Sequence, residues 1–384
     1  MSFNFPVEVL KGLQTPYYYY DMALLEQTLA YVKSEADQYG YKVHYAVKAN
    51  ANERLLKAIK AKGFGADCVS GNEVQKALDC GFDPSGVVYA GVGKSDREIN
   101  IGLDNDIACF NVESIPELEI IDELAGLKGK VTNVALRINP NVNANTHHYI
   151  TTGLEENKFG INQWDLENVL DVLKKLKHVN LQGLHFHIGS QIMDLNSFKD
   201  LCLRVNEIQK WFISHQVFPE VINVGGGLGI DYEQPDENAI PDFKSFFKLF
   251  DEILDLKSGQ ELHFELGRSM VAQCGVLMSK VLYVKNGVNT KFAIVDAGMN
   301  DLIRPALYQA YHKVENLTSN GETEKYDVVG PICESSDCFG KAIVLPETKR
   351  GDLITIRSAG AYGEVMANGY NLREIPTAYY SDNI

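Results

Sequence analysis

The sequence predicts an α/β protein that consists of a TIM-like (β/α)8 barrel and a mostly β second domain. Two observations support this prediction. Along the first two thirds of the chain, short apolar runs alternate eight times with other segments, several of them clearly amphipathic, which is the pattern of parallel strands joined by helices. Beyond that part, strand-like runs are joined by short turns that contain Gly or Asn. We therefore expect a barrel over residues 30–270 and a β domain formed by residues 1–29 and 271–384.

The predicted barrel strands are short runs of mainly apolar or aromatic residues. They cover residues 43–48, 66–70, 87–91, 107–112, 132–138, 181–188, 221–225 and 261–266. Helical spacing of apolar residues is clearest over residues 53–62, 72–80, 114–126, 164–177, 196–214 and 242–257. An open doubly wound sheet is the first alternative. The barrel is favoured because lysine, rather than a Gly-x-Gly-x-x-Gly turn, follows the first strand.

The β domain is predicted from strand-like runs that follow the barrel. They cover residues 277–285, 291–295, 326–332, 341–345 and 353–357. The aromatic run Tyr17-Tyr18-Tyr19-Tyr20 in the lead segment also reads as a strand, and we expect it to join this domain.

Charge and cysteine content exclude several classes of partner and site. The formal net charge of −15 argues against nucleic acid and anionic membranes, because both need a basic surface. Seven scattered cysteines without a C-x-x-C pair indicate neither a zinc site nor a disulfide framework. No signal peptide is visible at the amino terminus and no run is long enough to span a membrane, so we expect a cytoplasmic protein.

Lys48 ends the first predicted barrel strand, at the edge where such barrels carry their chemistry. The apolar residues before it would partly desolvate its ammonium group and favour the neutral amine, which attacks carbonyls to form a Schiff base. On this stretch alone, a solvated charge at the edge of the sheet is the commoner interpretation.

Later strand ends add candidate groups for a ligand. The run Gly225–Gly229 could bring backbone amides onto a phosphate or could simply form a tight turn. Glu265 points into the barrel, where it needs a partner such as a protonated ring nitrogen or, alternatively, Arg137. His185 and His187 share a strand face, but no third ligand follows at metal spacing. A ring stacked on a flat cofactor fits better, and a core histidine remains the alternative for His185.

Polar turns of the β domain complete the set. Cys333 lies in the Gly- and Pro-containing turn 330–337 beside two acids, where a thiol is suited to proton transfer. Two further turns carry Arg304, Tyr308 and Tyr362, which suit carboxylates or phosphate. An imine-forming lysine, a glycine loop, a buried acid, a stacking imidazole and a thiol together match a pyridoxal phosphate site.

Four segments resemble motifs of the alanine-racemase-like (fold type III) pyridoxal phosphate decarboxylases. Tyr45–Asn50 resembles the cofactor lysine motif of this family, and His185–Gln191, Gly225–Gly227 and Glu265–Arg268 resemble its ring and phosphate motifs. The resemblance implies pyridoxal 5'-phosphate as the cofactor. The residues that it implies at the cofactor are Lys48, Asp67, His187, Ser190, Gly226, Gly227, Glu265, Gly267, Arg268 and Tyr362.

Two narrower motifs resemble the subfamily that acts on meso-diaminopimelate. They are the segment 151–160, similar to its active-site loop, and Cys333-Glu334-Ser335, similar to its substrate motif. The resemblance implies decarboxylation to L-lysine and carbon dioxide, the last step of lysine biosynthesis, with Cys333 returning a proton to the α-carbon. It implies that Glu334 holds the distal ammonium of the substrate. The residues implied at its distal carboxylate are Arg268, Arg304 and Tyr308, with Tyr362 at the cofactor and substrate.

Two other functions stay open from the sequence. One is a related decarboxylase or racemase of a basic amino acid, of the ornithine, lysine, arginine or carboxynorspermidine type. The other is a non-catalytic pyridoxal phosphate carrier, although such carriers usually lack a β domain. The resemblance also implies a homodimer in which Cys333 and Glu334 complete the active site of the partner chain.

Overall fold

Eight parallel strands close into a barrel, which confirms the predicted fold class. The strands are β2 (Lys42–Ala46), β3 (Gly65–Cys68), β4 (Val87–Tyr89), β5 (Cys109–Val112), β6 (Thr132–Arg137), β7 (Val179–His185), β8 (Val221–Asn223) and β9 (Glu261–Leu266). Each strand pairs with the next in chain order, and β2 closes the ring by pairing with β9. The carboxyl ends of all eight strands therefore meet at one rim of the barrel.

The structure, a computed structural model, describes residues 3–142 and 158–384. It divides the chain into two units, of which the barrel unit comprises Leu29–Gly229 and Asp242–Gly267. The β unit comprises Met1–Thr28, Ile230–Pro241 and Arg268–Ile384. The boundaries expected from the sequence differ from these units mainly in the segment 230–241, which groups with the β unit.

Helices follow most barrel strands, and several of them begin at side-chain caps. They are α3 (Glu53–Ala61), α4 (Gly71–Asp79), α5 (Asp96–Asp104), α6 (Ile115–Leu127), α7 (Leu166–Leu173), α8 (Asn196–Ser214) and α9 (Phe243–Ile253). Ser70 and Ser114 accept backbone N–H groups at the starts of α4 and α6, and Asn52 does so for α3. These bonds satisfy donors that the first turn of a helix leaves without partners.

The space between the barrel and α9 is filled by phenylalanine rings. Phe264 of β9 lies 4.9 to 5.6 Å, centroid to centroid, from Phe246, Phe247 and Phe250 of α9. All four side chains are buried. The three phenylalanines of α9 lie on one face of the helix. Their contact with Phe264 therefore fixes α9 against β9, the strand that carries Glu265.

The β unit is built on an eight-stranded sheet. Its strands are β1 (Tyr17–Tyr20), β10 (Gly275–Asn286), β11 (Lys291–Val295), β12 (Val314–Asn316), β13 (Thr323–Val329), β14 (Cys338–Pro346), β15 (Leu353–Ile356) and β16 (Thr377–Tyr380). The order is β12-β15-β10-β11-β13-β14, and β1 pairs with β10 and β16. The lead strand β1 therefore belongs to this sheet, as the sequence predicts. The sequence analysis did not predict β12 and β16.

The remaining helices are short, apart from the one that leads into the barrel. They are α1 (Val7–Leu10), α2 (Met22–Asp37), α10 (Arg268–Val271) and α11 (Arg304–Tyr308). Within residues 3–142 and 158–384, no helix combines the length and the apolar character needed to cross a membrane.

Candidate active site

Lys48 lies just beyond its strand and not within it. Strand β2 ends at Ala46, and the short 3₁₀ helix Val47–Ala49 carries the lysine, so the predicted strand end at residue 48 is wrong by two residues. The hydroxyl of Tyr45 donates to the backbone oxygen of Asn50 at 2.9 Å and ties the turn to the strand. Because strand β2 ends at the barrel rim and the 3₁₀ helix follows it there, Lys48 lies at that rim.

Lys48 is paired with a fully buried acid. Its Nζ lies 3.0 Å from Oδ2 of Asp67, the neighbouring residue across the barrel rim on β3. Burial, and then the negative charge of Glu265, raise the pKa of Asp67, while Lys48 opposes the rise. The other carboxylate oxygen, Oδ1, is buried and accepts no hydrogen bond from the described residues. Asp67 is therefore the counter-charge for the lysine amine and pairs with it through one carboxylate oxygen.

Glu265 is held inside the barrel by three donors. The Nδ2 atoms of Asn111 and Asn223 lie 3.1 and 2.8 Å from its Oε1, and Nε2 of His185 lies 3.0 Å from its Oε2. Burial raises the pKa of Glu265, but the groups around it, His185 foremost, outweigh burial and lower it. Glu265 is therefore ionised at neutral pH. The two asparagines were missed from the sequence, where only the rarity of amides in buried strands could have indicated them.

Arg137, the alternative partner of Glu265, is engaged elsewhere. Its Nη1 donates to Oε1 of Glu113 at 2.9 Å, and both side chains are buried. The other oxygen of Glu113 accepts the amide of Gly160 at 3.1 Å. Within the described part of the chain Glu265 thus has no arginine partner, and its negative charge can pair with another group.

The two histidines have different surroundings. His185 ends β7 and donates through Nε2 to Glu265, while its buried Nδ1 has no hydrogen-bond partner among the described residues. His187 lies beyond the end of the strand, and its Nδ1 accepts the amide of Gly226 at 3.4 Å. Burial, aided by the charges of Arg137 and Lys48, lowers the pKa of His187 well below its usual value. His187 is therefore a neutral ring, which suits stacking.

The glycine run adopts a conformation that side chains would block. Gly225 and Gly227 have φ angles of +71° and +108°, in the left-handed region that favours glycine. A Cβ atom on Gly226 would lie 1.9 Å from the backbone oxygen of Glu265, and one on Gly227 would lie 2.7 Å from that of Gly189. Gly267 is similarly close, with a Cβ position 3.0 Å from Ala49. Backbone alone can line this part of the rim.

In the β unit, two buried arginines meet at one tyrosine. Nη1 of Arg268 and Nη1 of Arg304 lie 2.6 and 2.8 Å from the hydroxyl of Tyr232. The guanidinium of Arg268 also lies 4.7 Å from the ring centroid of Tyr362. Tyr308 ends α11, the helix that begins with Arg304. These residues, which we call the arginine set, place two cations within a few ångströms of each other.

Cys333 and Glu334 lie on an exposed turn of the β unit. Both side chains are exposed, and the hydroxyl of Tyr370 donates to Oε1 of Glu334 at 2.6 Å. Asp337 shapes the turn, because its carboxylate accepts the amides of Ile332 and Met299 at 2.6 and 2.7 Å. The turn therefore presents a thiol and a carboxylate to the outside of this unit.

The structure distributes the expected site residues over both units. The barrel set comprises Lys48, Asp67, His187, Ser190, Gly226, Gly227, Glu265 and Gly267. The β unit carries Arg268, Arg304, Tyr308, Cys333, Glu334 and Tyr362. Most of the expected active-site loop, residues 151–157 of the segment 151–160, lies outside the described residues.

The functional groups of the barrel set match those of pyridoxal phosphate. An amine at Lys48 and an ionised acid at Glu265 match the aldehyde and the protonated ring nitrogen of this cofactor. The glycine run offers a cradle that no side chain can fill, and the amide of Gly227 has no acceptor among the described residues. A phosphate group would provide that acceptor.

Comparisons with known proteins agree with this reading. Residues 23–272 match the family model described as pyridoxal-dependent decarboxylase, pyridoxal binding domain. The chain is similar to diaminopimelate decarboxylase of Bacteroides thetaiotaomicron, with 60% identity over 99% of both chains. It is 42% identical to that of Vibrio cholerae over 94% of this chain and 85% of the relative. A crystal structure of diaminopimelate decarboxylase from Helicobacter pylori complexed with L-lysine superposes with a TM-score of 0.92 at 39% identity, covering 97% of this chain and 93% of that one.

Proposed function

This chain belongs to the diaminopimelate decarboxylases, a family of pyridoxal-dependent decarboxylases. We propose that some of its site residues hold the cofactor and others bind the substrate of one reaction. The reaction is the decarboxylation of meso-diaminopimelate to L-lysine and carbon dioxide, the last step of lysine biosynthesis. In this proposal the barrel set holds the cofactor together with Arg268 and Tyr362, and residues of the β unit bind the distal end of the substrate. The observation that carries the proposal is the buried, ionised Glu265 with its three donors.

The cofactor is held by residues of complementary chemistry. Bound pyridoxal phosphate supplies an electron sink for the electron pair that remains when the α-carboxylate leaves as carbon dioxide. Glu265 keeps the proton on the ring nitrogen, because its own pKa is lowered and it stays ionised. Gly226, Gly227, Ser190 and Arg268 would hold the phosphate. His187 and Tyr362 would hold the ring.

Proton and amine transfers fall to Lys48 and Cys333. Lys48 would hold the cofactor through its side-chain amine, with Asp67 as the counter-charge of that amine. Cys333 returns a proton to the α-carbon after carbon dioxide has left.

The far end of the substrate is a second amino acid head, which needs opposite charges from the protein. We assign its ammonium to Glu334 and its carboxylate to Arg268, Arg304 and Tyr308. A site that pairs both charges is left with unpaired buried groups when a substrate lacks one of them. This explains why L-ornithine and L-lysine should be poor substrates.

A substrate panel tests this assignment. Carbon dioxide release should be at least about 100-fold faster, as kcat/KM, from meso-diaminopimelate than from L-ornithine, L-lysine or L-arginine. Arg304→Gln should remove most of this preference, whereas Arg350→Gln, on the exposed surface of the same unit, should not. Comparable turnover of L-ornithine by the wild type would contradict the assignment.

We further propose a homodimer with shared active sites in the cytoplasm. Exposure of Cys333 and Glu334 supports the dimer, because a thiol that protonates a substrate must be enclosed. The neighbouring side chains of Tyr370 and Leu372 are 46% and 99% exposed, as expected of a surface that a partner covers. The seven free thiols support a reducing compartment.

A further inference from the structure

We propose that Tyr232 is a positioning residue that fixes the two substrate-reading guanidinium groups, and that His312 assists it at Arg304. The proposal deepens the proposed function and depends on its assignment of Arg268 and Arg304 to the distal carboxylate. It rests on three features of the β unit: a shared acceptor, a histidine with a fixed tautomer, and a rigid backbone segment.

The shared acceptor is the hydroxyl of Tyr232. It accepts from Nη1 of Arg268 at 2.6 Å and from Nη1 of Arg304 at 2.8 Å, and only 6% of each arginine is exposed. Two buried cations repel each other, so they need a common partner to stay close. Burial raises the pKa of Tyr232, but the charges of Arg268 and Arg304 outweigh this effect and lower it, so the oxygen is an unusually good acceptor.

His312 gives Arg304 a second fixed contact. Nδ1 of His312 lies 2.8 Å from the backbone oxygen of Arg357, so Nδ1 carries the proton and Nε2 is an acceptor. Nη1 of Arg304 lies 3.0 Å from that Nε2. Burial, and then the charge of Arg304, lower the pKa of His312 to about 3, so the ring stays neutral.

Arg304 has no carboxylate partner among the described residues, and its hydrogen bonds there all involve Nη1. The two contacts at Nη1 fix the orientation of the guanidinium group. They leave its other N–H groups available to donate to a ligand. A carboxylate binds best to a fork whose orientation is set in advance.

The backbone that carries Tyr232 is itself anchored. Nε2 of Gln273 donates to the backbone oxygen of Asp231 at 2.7 Å. Four residues after Tyr232, the carboxylate of Asp236 accepts two bonds from Arg357, at 3.1 and 2.6 Å. Arg357 thus links the Tyr232 segment to His312. Tyr232 is therefore held from both sides of its sequence position, as a positioning residue must be.

Tyr232→Phe tests the proposal, because it removes the hydroxyl and keeps the ring. Measured on the holoenzyme at saturating pyridoxal phosphate, KM for meso-diaminopimelate should rise about tenfold or more, with kcat within about twofold. D-lysine keeps the reacting end of meso-diaminopimelate but, unlike the product L-lysine, lacks the distal carboxylate, so its inhibition constant should stay within about twofold. A purely structural role would weaken both ligands alike, and that result, or an unchanged KM, would overturn the proposal.

Three further variants separate the possible failures. Tyr17→Phe removes another buried hydroxyl of the same unit, bonded to the backbone oxygen of Leu10, and should change Tm without changing KM. His312→Leu should raise KM less than Tyr232→Phe does and should also leave the inhibition constant of D-lysine unchanged. Arg304→Gln should raise KM selectively. If Arg304→Gln weakens both ligands equally, the proposed function fails. If Arg304→Gln weakens meso-diaminopimelate selectively and Tyr232→Phe does not, only the role of Tyr232 fails.

Discussion

Glu265 shows how individual residues set the chemistry of this barrel. A carboxylate in an apolar interior would normally be protonated, because burial penalises its charge. Here two amides and an imidazole donate to it, so the charged form is the stable one. Asn223 does more than support Glu265, since its Oδ1 also accepts the amide of Gly225 at 2.9 Å. One side chain thus couples the acid to the start of the glycine run.

Asn111→Leu should weaken cofactor binding, because among the described residues the Nδ2 of Asn111 donates to Glu265 alone. Loss of a hydrogen bond to a buried charge costs about 1.5–3 kcal/mol. We therefore expect the half-saturating concentration of pyridoxal phosphate to rise about tenfold or more, measured by fluorescence titration of the apoenzyme.

The matched control is Asn133→Leu. Asn133 lies at the start of β6, and its Nδ2 donates to the backbone oxygen of Ala108 at 3.2 Å, away from Glu265. This variant should change Tm and leave cofactor affinity as in the wild type. Equal losses of affinity in both variants would argue against a specific role of Asn111.

Lys48 should be the residue that binds the cofactor covalently. Its amine is the one that the barrel set presents beside Asp67, and the purified protein should be yellow. Borohydride reduction followed by peptide mapping should place the cofactor mass on the peptide that contains Lys48. A label on a different lysine would refute the assignment.

Strand β2 carries one histidine, His44, whose protonation makes stability depend on pH. His44 is buried within this strand, with Nδ1 3.1 Å from the backbone oxygen of Gly86 and Nε2 3.1 Å from Nδ1 of His263. Burial, and then the charge of His263, lower the pKa of His44 to about 4 from 6.5. Glu265 opposes this shift and Lys42 adds to it. His44 is thus neutral in the folded protein under conditions where the unfolded chain would bind a proton.

Stability should therefore fall as the pH falls from 6.5 towards 4. The unfolded chain binds a proton to His44 in this window and the folded chain does not, which amounts to about 2 kcal/mol at pH 5. His44→Gln should remove this contribution. Denaturant unfolding at pH 7 and pH 5 measures it as a smaller loss of unfolding free energy in the variant. Equal losses in both proteins would contradict the role of His44.

At the level of elements, the sequence predicted the barrel because its strands are apolar runs of regular spacing. It missed α5 (Asp96–Asp104), although Ser95 and Glu98 form a capping box that the sequence displays. It could not reveal β12, a strand of three residues whose pairing with β15 depends on the tertiary fold. Nor could it show that the strand before Lys48 gives way to a 3₁₀ turn.

The site was predictable to the extent that motifs carry it. Expectations for most of the barrel set and for Arg268 followed from a resemblance of short segments, those for Asp67 and Arg304 followed from the resemblance to the family, and all of these roles stay predictions. Asn111, Asn223, Tyr232 and His312 were not expected, since none of them belongs to such a segment and their roles depend on contacts between distant parts of the chain. Segment 230–241 is the clearest case, because only the structure groups it with the β unit.

At the scale of the whole molecule, the account requires that residues of the two units act on one substrate. Lys48 belongs to the barrel unit, and Cys333 belongs to an exposed turn of the β unit. In a two-fold dimer, each turn can serve the barrel of the partner, and both sites are then equivalent. The proposal therefore links the chemistry of the site to the oligomeric state of the enzyme.

Subunit complementation tests this central claim most directly. Lys48→Ala and Cys333→Ala homodimers should each be inactive. After subunit exchange in an equal mixture, half of the dimers are mixed, and one of their two sites combines an intact Lys48 with an intact Cys333. About a quarter of wild-type activity should therefore return, with exchange verified by a tag on one variant. If exchange is complete and no activity returns, each site lies within a single chain and the account is contradicted.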